Sequence, residues 1–342
     1  MLKVGLIGIG FMGRGHLDNY IRLEEEGFPV QLTAVCDVDE EKFSNIFVKG
    51  NIDLGSKTYD FSKYSLYTDY RKMLEEEELD YVDIALPTYL HAEVSCYALR
   101  QGVHVLCEKP MALSTIECQQ MIDAADDAGR QLMVAQCLRF WPEYEAVKEI
   151  VDSGRFGAPT GAYFYRGGGT PRWSFENWLL TDEKSGGALL DQHIHDVDTL
   201  NWMFGPPTRV STIARNVIPG SGYDIVSTNY IYPSRLVVNA QDDWTLNGDN
   251  AFGMTFRVNF EKGNCIYEGG VLRVYPNDGE SYVPELSKDS GYIREIRYFA
   301  DCVRSGQPTT RSTPISTRVT IAIAEAEVAS ADQQGAVTPV DF

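Results

Sequence analysis

A short apolar run, Leu2 to Ile7, passes directly into Gly8-Ile9-Gly10-Phe11-Met12-Gly13 and then into a helically patterned stretch reaching about residue 26. Few features constrain a fold as tightly. A continuous apolar run of this length fits a strand buried on both faces, the kind found in parallel sheets covered by helices. Strand, glycine loop and helix in that order make the opening of a βαβ unit that holds a dinucleotide. Gly8 permits the tight turn, Gly10 lets a pyrophosphate approach the backbone, and Gly13 lets helix and strand pack closely. The N–H groups of the first helical turn, at Phe11 and Met12, are left for phosphate oxygens.

A second strand over residues 31–36 ends at Asp37. A carboxylate there accepts hydrogen bonds from the adenosine ribose hydroxyls and repels a 2′-phosphate. The next residues, Val38, Asp39 and Glu40, offer no Arg to offset that repulsion, so NAD is favoured over NADP. The competing reading is a structural glycine turn with Asp37 as a helix cap. A helix near residues 40–49 and a Gly/Asp/Ser/Tyr-rich surface insertion at 50–65 come next, then a helix at 70–77 and a strand at 81–85. Pro87-Thr88-Tyr89-Leu90-His91 leads into a helix ending at Arg100, and a strand over 104–107 ends in Glu108-Lys109-Pro110. A helix over 114–128 and a strand over 132–135 close this part. Ligands of open parallel sheets sit beyond the carboxyl ends of the strands, which aims Lys109 at the crevice of the glycine loop. His91 is either a ligand contact or simply a residue that starts a helix.

From residue 136 the βα alternation stops. Arg139-Phe140-Trp141-Pro142 opens a helix ending near Gly154, and a strand over 160–166 runs into Gly167-Gly168-Gly169. That glycine run reads as a loop, with Trp173, Asn177 and Trp178 either walling a bound ligand or packing into a core or interface. Beyond Pro207 come strands at 208–217, 224–232, 235–245, 252–260, 265–268 and 271–275. Asn247-Gly248, Lys262-Gly263 and Asn277-Asp278-Gly279 supply turn chemistry. Helices over 291–304 and 314–330 finish the chain. The expected architecture is an N-terminal doubly wound parallel sheet of Rossmann type over residues 1–135. A second domain over 136–342 carries a large, mainly antiparallel open sheet with flanking helices, the terminal ones packing back on the body.

Two of the five histidines and three carboxylates fall in one stretch, Gly186-Gly187-Ala188-Leu189-Leu190-Asp191-Gln192-His193-Ile194-His195-Asp196-Val197-Asp198. Leu190, Ile194, Val197 and the Leu200/Trp202/Met203 group recur at helical spacing and predict an amphipathic helix. Asp191 and His195, four apart, then share a face about 100° from the apolar stripe, at the border of buried and open surface. Such a pair is either a base with its orienting carboxylate or an ordinary helix-border pair.

With 30 basic and 49 acidic residues in 342, the formal charge of −19 argues against a nucleic-acid or anionic-membrane partner. Seven cysteines without CxxC spacing, several of them in apolar runs, read as reduced thiols of a cytoplasmic protein. The chain starts on a strand with no charged-then-apolar leader, and no apolar run approaches ~18–20 residues. No His, Cys and carboxylate set has metal-ligand spacing, so no metal is expected.

The succession GIGFMG, ALPTYLHAE, GVHVLCEKP, QCLRFWPEY, DSGRFGAP and SGGALLDQHIHDVD resembles the Gfo/Idh/MocA family of NAD(P)-dependent sugar and polyol oxidoreductases. The similarity runs over essentially the whole chain and is strongest up to about residue 207. His193, where many members carry a small residue, and the segment at 50–65 depart from the pattern. The resemblance implies oxidation of a secondary hydroxyl on an inositol-like or hexose-like ring to a ketone, with hydride passing to nicotinamide. It implies His195 as proton acceptor, Asp191 contacting the hydroxyl or orienting His195, and Lys109 stabilising the alkoxide. On this reading Gly8, Gly10, Phe11, Met12, Gly13, Asp37, Pro87, Thr88, His91, Glu108 and Lys109 are the cofactor residues. Arg139, Arg166, Trp173, Trp178, Asp191 and His195 are the substrate residues. A homodimer or homotetramer formed through the C-terminal sheet is implied too. Two other readings stay open: glycoside cleavage or epimerisation through transient oxidation by a retained NAD, and a non-catalytic NAD-sensing regulator.

Overall fold

In the computed structural model, which describes residues 1–44, 50, 58–247 and 252–342, the chain divides into two compact units. The first comprises Met1–Cys137, Trp173–Glu176 and Gly291–Thr317; the second comprises Leu138–Arg172, Asn177–Ser290 and Arg318–Phe342. Besides the expected division near residue 135, residues 173–176 and 291–317 group with the first unit.

The first unit contains β1 (Leu2–Ile7), α1 (Phe11–Glu25), β2 (Val30–Cys36), β3 (Ser65–Tyr67), α2 (Tyr70–Glu76), β4 (Tyr81–Ile84), α3 (His91–Arg100), β5 (His104–Glu108), α4 (Thr115–Ala128) and β6 (Leu132–Ala135). The strands form one sheet in the order β3-β2-β1-β4-β5-β6, with every neighbouring pair parallel. Val4, Leu6, Val82, Ile84, Val105 and Leu106 have no exposed surface, as a sheet covered on both faces requires. The strand order reverses between β1 and β4, the switch point at which such sheets bind ligands. Local chemistry sets the element ends. The Ser114 hydroxyl caps α4 by accepting from the Glu117 N–H, the Glu117 carboxylate accepts from the Leu113 N–H, and Gly129 ends the helix at φ 60°.

The helix expected over 40–49 is a 3-10 turn at Glu40–Ser44, and residues 45–49 lie outside the described residues. Part of the expected insertion, residues 51–57, also lies outside them. Its last residue, Ser65, starts β3, which pairs with β2 at the sheet edge.

The second unit carries α5 (Pro142–Ser153), β7 (Pro159–Gly169), α6 (Asp182–Ser185), α7 (Gly187–Asp191), α8 (Ile194–Phe204), β8 (Arg209–Arg215), β9 (Ile225–Ile231), β10 (Val237–Leu246), β11 (Gly253–Phe260), β12 (Gly263–Glu268) and β13 (Val271–Pro276). Of the terminal elements, α9 (Gly291–Ser305) belongs to the first unit, where it packs against α1, β5 and β6. Next, α10 (Pro314–Asp332) runs into the second unit, and β14 (Thr338–Pro339) pairs with β8. The eight-stranded sheet has the order β13-β12-β11-β7-β10-β9-β8-β14 and is antiparallel except where β10 runs parallel to β7. Side chains alternate along each strand. Phe164, Val238, Ala240, Trp244, Phe256 and Val258 are buried on one face, against which α7 and α8 pack.

Gly167-Gly168-Gly169 is not the expected loop. It continues β7, with Gly167 paired to Gly253 of β11 and Asp243 of β10. Partners on both sides supply the backbone hydrogen bonds that hold so flexible a sequence extended. The turn Asn247-Gly248 falls partly outside the described residues.

Candidate active site

The glycine loop has the geometry its spacing predicts. Gly8 sits at φ 91°, and a Cβ on it would lie 2.5 Å from the Ala85 carbonyl oxygen. A Cβ on Gly13 would lie 1.9 Å from the Gly8 oxygen, so helix and strand could not approach as they do. At Gly10 a Cβ would meet nothing within 4 Å. The loop is closed where it must turn and open where a pyrophosphate has to come near. Gly10 also leaves the N-terminus of α1, at Phe11 and Met12, without a side-chain cap. These residues fit a dinucleotide.

Asp37 is buried at the end of β2 and tied to that loop, its Oδ2 accepting the Ile9 N–H at 2.9 Å. The Lys42 Nζ lies 2.9 Å from both of its carboxylate oxygens, and the Phe175 ring sits 5.3 Å from the same ammonium. Val38, Asp39 and Glu40 carry no cation, and the offsetting one lies two residues further on, at Lys42. The 3-10 turn folds Lys42 back onto Asp37, which spacing along a strand end does not reveal.

The other residues expected at the cofactor are placed as follows. Pro87 caps a 3-10 turn at Thr88–Leu90, and Thr88 is buried. His91 starts α3, is buried, and holds two carbonyls, with Nδ1 2.8 Å from the Pro110 oxygen and Nε2 2.8 Å from the Leu86 oxygen. It thus joins the turns that follow β4 and β5. Glu108 faces inward. Its Oε1 lies 2.9 Å from His16 Nε2, and its Oε2 accepts the Lys109 N–H at 3.0 Å. Lys109 is half-buried at the end of β5.

In the second unit the stretch of 186–198 is two helices, not one. Gly186 and Gly187 lie at φ 71° and 68°, and a Cβ on Gly187 would lie 2.6 Å from the Ser221 oxygen. From this turn α7 runs only to Asp191, and α8 begins at Ile194. The His193 N–H reaches back five residues to the Ala188 oxygen at 2.8 Å, which ends the regular ladder. Asp191 and His195 therefore do not share one face of a single continuous helix, as their spacing predicts. Asp191 closes one helix, and His195 stands in the first turn of the next.

Burial then sorts the polar groups. Asp191 and His195 are half-buried, whereas His193, Asp196 and Asp198 are fully buried. Arg139 makes a two-pronged bond to Asp198 (2.8 and 2.7 Å), and Thr320 donates to the same carboxylate at 2.8 Å. Arg166 holds Asp196 at 3.0 and 3.3 Å. Both arginines, expected at the substrate, are at most 2% exposed and are spent on these charge pairs. Trp173 belongs with the first unit and Trp178 with the second, both half-buried. His193 Nε2 lies 3.1 Å from the Tyr230 hydroxyl and 3.5 Å from Glu327. Burial works to lower the His193 pKa, and the Glu327 carboxylate outweighs it, raising it above the ordinary value.

One buried acid was missed altogether. Asp242 occupies an inward position of β10 between Ala240 and Trp244, where the Gln192 amide donates to it at 3.1 Å. Burial, with nearby Asp196, pushes its carboxyl up to about 8 against the opposing pull of His193 and Arg166. The signal was present as an acid at an inward position of an otherwise apolar alternation.

Residues 2–136 match a family model described as the Gfo/Idh/MocA oxidoreductase family, NAD-binding Rossmann fold, and residues 144–266 match the C-terminal domain of the same family. The chain is 28% identical over 205 residues to inositol 2-dehydrogenase of Salmonella typhimurium, covering 59% of this chain and 54% of that one. It is 29% identical over 224 residues to levoglucosan dehydrogenase of Pseudarthrobacter phenanthrenivorans, covering 64% and 55%. The matches thus span about half the length of these curated relatives. A solved levoglucosan dehydrogenase in complex with NADH and levoglucosan superposes with a TM-score of 0.85 over 100% of both chains, at 22% identity. At that identity the likeness speaks for the fold.

Proposed function

This chain belongs to the Gfo/Idh/MocA oxidoreductase family, and from that premise we propose that it oxidises a secondary hydroxyl of a cyclic sugar or polyol to a ketone, using NAD. The observation that carries the reading is the sorting of the 186–198 stretch. His193, Asp196 and Asp198 are buried against interior partners, whereas Asp191 and His195 are half-exposed. The relatives named as inositol 2-dehydrogenase and levoglucosan dehydrogenase support a ring polyol or anhydro-sugar as substrate.

NAD, when bound, supplies the hydride acceptor. His195 takes the hydroxyl proton as the carbon-bound hydrogen leaves as hydride, because an imidazole ionises near working pH. Asp191 holds the substrate hydroxyl or orients the imidazole. Lys109 stabilises negative charge on the alcohol oxygen. Seven buried free cysteines support a reduced, cytoplasmic setting, and among the described residues no helix is long and apolar enough to cross a membrane.

The test is NADH formation over a panel of inositols, hexoses and anhydro-sugars. His195→Ala is expected to lower kcat roughly 100- to 10,000-fold while leaving NAD affinity within about twofold. Unchanged turnover in that variant removes His195 as the base. Product that forms without NADH accumulation points instead to transient oxidation by retained NAD.

A further inference from the structure

Beneath the Glu108-Lys109 turn lies a cluster of ionisable groups that the proposed reaction does not use. His16, on α1, is fully buried, with Nδ1 2.8 Å from Asp83 Oδ2 on β4 and Nε2 2.9 Å from Glu108 Oε1 on β5. The Tyr20 hydroxyl also donates to Asp83 Oδ2, at 2.8 Å, and the buried Tyr81 ring lies beside Tyr20. From α9 comes Glu295, with no exposed surface and with both carboxylate oxygens lacking a hydrogen-bond partner.

We propose that His16, bracketed between Asp83 and Glu108, is a positioning residue that sets Lys109 by fixing the carboxylate that anchors its backbone. The inference rests on the reading of Lys109 as a catalytic group. A carboxylate offers no proton, so both imidazole nitrogens facing one must carry their own, and the ring is an imidazolium. Burial works to lower the His16 pKa, and the two facing carboxylates outweigh it and hold it well above the ordinary value. Burial beside Glu108 and Asp83 pushes Glu295 well above the carboxylate range, and it keeps its proton. Glu108 stays ionised with both oxygens engaged, Oε1 to the imidazolium and Oε2 to the Lys109 N–H. Its side chain therefore has one orientation, and the backbone from which the Lys109 side chain departs has one as well.

The same groups suggest a metal site, since ligand atoms of His16, Glu108 and Glu295 lie within 4.8 Å of one another. Both nitrogens of His16 already face carboxylates, so a metal would have to break one of those bonds. Proton sharing accounts for the geometry without that loss.

Two substitutions separate the two bonds of His16. The amide of His16→Gln can reach the Nε2 position and keep the bond to Glu108; that of His16→Asn can replace Nδ1 and keeps only the bond to Asp83. His16→Gln is expected to retain kcat within several-fold, and His16→Asn to lose roughly 10- to 100-fold in kcat with KM and NAD affinity little changed. Equal losses in both variants overturn the proposal in favour of a merely structural role. In a Lys109→Ala background, His16→Asn should cost nothing further; additive losses sink the coupling. Full activity in Lys109→Ala alone instead refutes the underlying reading of Lys109. If His16→Asn does not fold, the nitrogen NMR shifts of the wild-type His16 ring decide. A doubly protonated signal at pH 8, unmoved by Zn²⁺ or chelator, is expected, and a neutral or metal-shifted signal overturns the inference.

Discussion

Lys42 changes what Asp37 can do to a coenzyme. A bare carboxylate at the end of β2 repels a 2′-phosphate, but one with an ammonium 2.9 Å from both oxygens is largely neutralised in the free protein. Lys42→Ala should therefore weaken NADP binding by about tenfold and leave NAD nearly unchanged, sharpening the preference. Asp37→Ser, with Lys42 kept, should relax it. Dissociation constants of both coenzymes in the three proteins test the pair, and an equal loss for both coenzymes in Lys42→Ala would show a structural lysine. Asp242 supports a second residue-scale prediction. Its carboxyl sits at about 8 in the folded chain, against about 3.9 when unfolded. Between those values the native state binds a proton that the unfolded chain lacks, so this group's contribution to stability is full below about pH 4 and is lost as pH rises through 8. Asp242→Asn removes that slope, at most about 1.4 kcal/mol per pH unit. The gap in denaturation midpoint between variant and wild type should shift in the variant's favour from pH 5 to pH 8, and a constant gap would show that Asp242 does not titrate there. Residues at strand ends and glycine turns were readable because spacing alone places them. Lys42, Asp242 and the inward side of Glu108 were not, because each depends on what a fold brings against it.

At the scale of elements, hydrophobic period points to most helices and strands of the first unit, whose central strands are buried on both faces, but not to β3, where Ser65 and Leu66 are exposed. It failed where backbone geometry competes with pattern. Leu190, Ile194 and Val197 keep helical spacing across a break because α7 and α8 bury their apolar sides against the same sheet. Upstream, α7 starts from a constrained turn. Gly187 must sit at φ 68°, with the Ser221 oxygen and the Tyr223 backbone where a Cβ would be. Gly187→Ala should therefore destabilise the second unit by roughly 1–3 kcal/mol and lower turnover by displacing Asp191. Gly269, at φ 58° with open space around it, provides the control, and its alanine variant should lose stability through backbone strain alone and keep its turnover. Comparable loss of activity in both variants would count against α7 as the element that places Asp191. The glycine run of β7 is the reverse case, where local propensity reads loop and pairing on both sides overrides it.

For the molecule as a whole, charge sets the terms of association. A chain of formal charge −19 repels its own copies unless the surfaces that meet carry little of that charge. The open face of the eight-stranded sheet is such a surface. Among strand residues on that side, the acids Asp243 and Glu268 are outnumbered by the bases Arg209, Arg215, Arg257 and Arg273. Tyr163, Tyr165, Val237, Ile213 and Val271 stand between them, 37 to 60% exposed. Scattered apolar residues on a surface are ordinary, but large ones gathered on one face of one sheet, where the chain's negative charge is locally reversed, are what a contact surface needs. A second copy of this chain is the occupant we propose, as a homodimer or homotetramer. Tyr165→Asp and Val237→Asp place carboxylates at exposed positions, where they leave the fold intact and restore repulsion. The wild type should run as an oligomer in light scattering and the double variant as a monomer with unchanged circular dichroism. Because apolar contact carries the association and the face is not strongly acidic, raising the salt should not dissociate it. A monomeric wild type, or a double variant that still oligomerises, would assign this face to solvent.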